Sequence, residues 1–87
     1  VQAQPTPSGP CVVRFNAPEL VYTQPTAIAD WIYDQVPAGG EIIPTGRWNS
    51  DPSWYKTNYA GAWWQNRPGT AGVLSGNCAA LPLIPWP

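Results

Sequence analysis

The chain is written as short apolar runs separated by turn residues. "CVVRF" (11–15) closes at "NAP", and "ELVYT" (19–23) closes at "QP". "ADWIYDQV" (29–36) has modest helix propensity and ends at "PAGG". "EIIPTGRW" (41–48) reads as a strand, and its internal Pro44, which lacks an N–H for a ladder, calls for an edge or a bulge. After the turn cluster "NSDPS" come "WYKTNY" (54–59) and "AWWQ" (62–65). They flank Ala60-Gly61, a tight connection suited to the positive φ of a hairpin. "NRPGTAG" is a loop and "VLSGNC" (73–78) a last short strand. Short strands recurring roughly every ten residues predict a small all-β barrel or sandwich.

The two ends differ from this middle and from each other. Residues 1–10, "VQAQPTPSGP", hold prolines and glutamines and form a Pro-rich N-terminal arm, extended or polyproline II-like. Residues 79–87, "AALPLIPWP", form a second arm with three prolines, but also Leu81, Leu83, Ile84 and Trp86. Proline forbids a helix here, and the side chains are too apolar to be left in water.

Alternation sorts the aromatic residues. Along "WYKTNY", Tyr55, Thr57 and Tyr59 share one face, while Trp54, Lys56 and Asn58 share the other. Lys56 marks its face as the wetter one, which predicts a partly exposed Trp54. Trp63 and Trp64 are neighbours, so one should be core and the other should face out. Trp48, where a strand enters a turn cluster, should be half-buried. A barrel this small cannot enclose all six tryptophans, so some must be presented.

Composition narrows the class. Eighty-seven residues make one domain of marginal burial, the size at which a covalent staple matters. Cys11 and Cys78 are the only cysteines, which predicts a disulfide and an oxidising compartment. Closing that 67-residue loop is worth roughly 4 kcal/mol on chain entropy. The four cations, Arg14, Arg47, Lys56 and Arg67, are scattered, and net charge is −1, so nucleic acid is not an expected partner. No apolar run approaches the roughly 20 residues of a membrane span. The opening at Val1 reads as a mature N-terminus left by signal removal, or as a linker. With the cysteines, this favours a secreted or cell-surface setting.

Chemistry is thin. There is no histidine, which removes the commonest general base and metal ligand. Asp30 and Asp34 would share a face only if their segment winds helically, and a solvated face explains them more simply. Glu41 reads as a strand-entry charge, and "PAGG" has no lysine or following helix to make a phosphate cradle. No catalytic residue, metal site or cofactor is assigned. Thr6, Ser8 and Thr26 lie in Pro-rich surroundings suited to O-linked sugar.

The order "QVPAGGEIIPTGR", "SWYKTNY", "AGAWWQ", "VLSGNC" resembles the bacterial SH3-like (SH3b) domain family across residues 11–78. That family shows an apolar-Pro-Ala-Gly turn before a strand, then a Trp-Tyr-Lys strand paired through a Gly-containing hairpin with a Gly-Trp-Val strand. Leu20-Val21-Tyr22 stands where the family has Asn-Val-Arg, Ala62 stands for the hairpin Gly, Trp64 for a core Val, and Thr57 for an apolar strand residue. The resemblance implies a barrel of five to six short strands. It places Trp64, Tyr55 and Tyr59 inward and Trp63 outward or at a rim, with a Cys11–Cys78 bridge tying the first strand to the last.

Two functions follow as expectations. The first is a non-catalytic, self-associating subunit of a cell-surface, filament-like assembly, with other copies of itself or a cell-surface protein as partner. Its interaction surface would be Trp48, Trp54, Trp63 and Trp86 with Leu83 and Ile84, and the apolar arm would lie in a groove of a neighbouring copy, the alternative being that the arms fold back on their own barrel. The second, implied by the resemblance, is recognition of cell-wall glycan or peptidoglycan by exposed tryptophans, with Asn49, Asn58 and Gln65 as hydrogen-bonding neighbours.

Overall fold

The computed structural model of the protein describes residues 9–86. Its strands are β1 (Val12–Phe15), β2 (Glu19–Tyr22), β3 (Ile32–Val36), β4 (Glu41–Ile42), β5 (Pro44–Trp48), β6 (Trp54–Thr57), β7 (Trp63–Gln65), β8 (Gly72–Ser75) and β9 (Leu83–Ile84). Two single 3₁₀ turns, Ala29–Trp31 and Cys78–Ala80, interrupt them. The all-β expectation holds. The strands form a three-stranded sheet, β4-β1-β8, and a six-stranded sheet, β3-β2-β7-β6-β5-β9, and no closed barrel is found among the described residues.

There are more strands than the five or six expected, for local reasons. "EIIPTGRW" divides at Ile43, where the chain leaves the small sheet for the large one. The crossing is held by Asn58, whose Oδ1 accepts from the Ile43 N–H at 2.9 Å while its own N–H donates to the Ile43 carbonyl at 2.9 Å. The β5–β6 register shifts between Pro44 and Gly46, the bulge that Pro44 required. "ADWIYDQV" is not helical. After one 3₁₀ turn, "IYDQV" extends and pairs antiparallel with β2, where β-branched and aromatic residues fit the pleat. The helical face joining Asp30 to Asp34 therefore does not exist.

The hairpin formed as read: Ala60 and Gly61 both take positive φ, at 54° and 72°. Thr57 explains its own presence in an apolar row. Its buried hydroxyl donates to the Ala62 carbonyl at 2.9 Å and accepts the Tyr59 N–H at 3.2 Å, closing the turn from inside.

One cluster, Val13, Phe15, Val21, Val36, Ile42, Tyr55, Ala62 and Trp64, fills the space between the two sheets. Trp64 lies inward, as the resemblance implied, edge-on to Phe15 with centroids 5.7 Å apart. Gly72 is required beneath it, since a Cβ there would strike the Trp64 ring and come within 2.9 Å of Val13. Cys11 and Cys78 form the predicted disulfide. The N-terminal arm of residues 1–10 lies outside the described residues except for Gly9 and Pro10, and Gly9 accepts the Asn77 N–H at 3.2 Å beside the disulfide.

Candidate functional site

The interaction residues expected from sequence lie on the face of the large sheet turned away from the first core. Alternation sends Tyr55, Thr57 and Trp64 one way, and Trp54, Lys56 and Trp63 the other. That parity matches the alternation, but the second face is not wet as Lys56 suggests: Trp54 is 4% exposed and Trp63 1%. Both belong to a second cluster with Tyr22, against which Leu20, Trp48 and Ile84 pack. Lys56 misleads because its ammonium sits over the Trp63 ring, 5.4 Å from the centroid.

The cover is the C-terminal segment. β9 runs parallel to β5 in the register Arg47↔Leu83 and Trp48↔Ile84. The Arg47 N–H donates to the Pro82 carbonyl at 2.9 Å, and the Asn49 N–H to the Ile84 carbonyl at 2.8 Å. Ile84 lies against Gly46, where a Cβ would approach it to 3.0 Å. Trp86 then meets Trp63 edge-to-face at 5.8 Å. So Trp48, Trp54, Trp63, Ile84 and Trp86 are brought together, but as a groove and its occupant rather than as one open surface. Trp86 keeps 37% of its surface exposed and Leu83 keeps 59%. The buried indole N–H groups of Trp48 and Trp63 find no acceptor among the described residues.

A second surface escaped the sequence reading. Ile28, Trp31, Ile32 and Tyr33 are all exposed, around the 3₁₀ turn and the start of β3, which is an edge of the large sheet. Tyr59, expected on the core side, joins them instead. Its strand ends at Thr57, so the alternation stops before it reaches Tyr59. Tyr33 and Tyr59 meet edge-to-face at 5.9 Å, and the Tyr59 hydroxyl donates to the Asp34 carboxylate. The other carboxylate oxygen accepts the Gln35 N–H at 2.7 Å. The Tyr59 hydroxyl first, and the Gln35 amide second, hold the Asp34 pKa below its ordinary range, and the same bond raises that of Tyr59. A strand reading of "WIYDQV" would have exposed this cluster, because alternation cannot bury the three consecutive residues Trp31, Ile32 and Tyr33 on one face.

Glu19 has a structural task, accepting from the Thr70 hydroxyl at 3.0 Å and the Ala71 N–H at 3.1 Å to hold the loop before β8. The shallow cleft between Glu19, Tyr22, Gln65 and Arg67 has room for about one water. Among the described residues no three of His, Cys, Asp or Glu group to hold a metal, and no helix is long and apolar enough to cross a membrane. Compared with known proteins, the chain matches no family model, no curated protein and no solved structure.

Proposed function

We propose that this protein is a non-catalytic, extracellular interaction module that associates with copies of itself, as a structural or cell-surface assembly subunit. The observation that carries the reading is the edge of the large sheet: Ile28, Trp31, Ile32, Tyr33 and Tyr59 stay exposed while the protein seals three other tryptophans, Trp54, Trp63 and Trp64. An aromatic edge strand is a liability in a monomer and an asset in an assembly. The disulfide suits an oxidising, extracellular setting. The SH3b resemblance belongs to this proposal, supported by the consecutive antiparallel β5-β6-β7 run.

Sedimentation across a concentration series tests the reading. The chain should gain mass with concentration, and Trp31→Ser with Tyr33→Ser should weaken that gain. A chain that stays monomeric at millimolar concentration would overturn it.

The alternative is a glycan-binding SH3b module. Its support is the same edge, where Tyr33 packs on Tyr59 and Tyr59 bonds the Asp34 carboxylate. Trp31 is exposed in the turn leading into the strand, so the edge offers ring faces for sugar stacking and an acceptor beside the tyrosines. Retention on purified wall polysaccharide that falls with Trp31→Ala would favour it over self-association.

A further inference from the structure

We propose that the C-terminal segment Pro82–Trp86 exchanges between copies, so that the segment of one chain fills the groove beside β5 of another. This rests on the self-association reading and names the partner: the same segment of a second copy.

The structure displays both halves of the contact. The groove is formed by β5 and the Trp48, Trp54 and Trp63 side chains, and its occupant is an extended Pro-rich strand. Recognition is specific, because Gly46 leaves the space that Ile84 fills and Trp63 receives Trp86. The backbone attachment is short, a two-residue strand. Cys78 fixes the root of the segment through the disulfide, and Leu81 packs against the first core. The part able to leave is therefore the five residues Pro82–Trp86.

Leaving preserves the shape of the segment. Pro82 and Pro85 restrict φ and make no demand for N–H partners, so it remains extended when free. The vacated groove would expose Trp54 and Trp63, a state relieved by any equivalent segment. The equivalent segment at hand is that of another copy, and an element exchanged between identical chains makes the same contacts it made within one. The intrachain segment competes at an effective concentration of about millimolar, so exchange belongs to crowded conditions. Each copy gives one segment and receives one at a different place, a geometry that closes as a dimer or grows as a chain.

Two variants, each made in the Trp31→Ser, Tyr33→Ser chain so that the aromatic edge does not contribute, separate this from other modes of association. Ile84→Asp spoils the segment and leaves the groove; Gly46→Leu blocks the groove and leaves the segment. Each alone should be monomeric by sedimentation. Their equimolar mixture should associate at a concentration at least tenfold below that of the parent Trp31→Ser, Tyr33→Ser chain, because neither has intrachain competition. A mixture no heavier than its separate components overturns the exchange. If the wild-type chain still gains mass, self-association stands through another surface; if it does not, both readings fail. Association of Ile84→Asp alone also overturns the exchange.

In case either variant misfolds, a second experiment uses the near-native chain. A benzoylphenylalanine photo-crosslinker replaces the exposed Leu83, and heavy- and light-isotope copies are mixed at high concentration before irradiation. Heavy-light crosslinks from position 83 to β5 are expected. Crosslinks to β5 confined to one isotope would overturn the exchange.

Discussion

Trp63 and Trp86 meet edge-to-face with centroids 5.8 Å apart, and this contact seals the outer face of the large sheet. Trp63 is one strand residue away from the first core, since its neighbour Trp64 points into it. The sheet thus buries large rings on both sides, with the small sheet covering one and the C-terminal segment the other.

Trp86→Ala should cost about 1–2 kcal/mol, less than a fully buried ring, because Trp86 remains 37% exposed. Trp63→Ala should cost about 3–5 kcal/mol. Urea unfolding checks the order, and red-shifted fluorescence in Trp86→Ala would mark the wetting of Trp63. Equal costs would mean that the segment does not seal this face.

Gly72→Ala should destabilise by about 1–3 kcal/mol, because the new methyl meets the Trp64 ring and Val13, which face each other across the core. Gly46→Ala meets only the Ile84 side chain, so its smaller effect should appear as loosening of the C-terminal segment. Amide exchange at Arg47 and Asn49, the donors to that segment, distinguishes the two.

Thr57→Val keeps the side-chain shape but removes the hydroxyl that joins Ala62 and Tyr59. A loss of about 1–3 kcal/mol is expected, with much less for Thr57→Ser. Denaturant midpoints of the two variants provide the comparison.

Reduction of Cys11–Cys78, which links positions 67 residues apart, should remove roughly 4 kcal/mol on the chain-entropy estimate. For a chain of this size that is a large share of the total stability. Thermal melts with and without reductant, together with a Cys11→Ala, Cys78→Ala variant, measure it.

The Asp34–Tyr59 bond gives opposite pH limits. The carboxyl pKa is depressed in the folded chain, so its contribution is present above the ordinary 3.8 and fades as pH falls through the folded value. The phenol is raised, so its contribution is complete below the ordinary 10.0 and fades as pH rises through the folded value. Ultraviolet titration should show one tyrosine ionising late, and Asp34→Asn should return it towards the ordinary range. An unchanged titration would remove the bond from solution. Both groups are exposed, so the effect belongs to the local order of the aromatic edge rather than to global stability.

Much of this was legible from residue types. Ala60-Gly61 specified its hairpin, Pro44 its bulge, and the solitary cysteines their pairing. The propensity of "ADWIYDQV" is indifferent, and its pairing with β2 makes it a strand. Tyr59 was misplaced because alternation was carried past the end of the strand.

By itself, the order of residues determined which side chains share a face. A strand turns its side chains through half a revolution at each step, and that rule is local. Only the tertiary structure decided whether a face meets water. Trp54 and Trp63 were dried by Ile84 and Trp86, while Trp31 and Tyr33 were left uncovered at an edge. Burial is a relation between distant segments, and no spacing within either one encodes it.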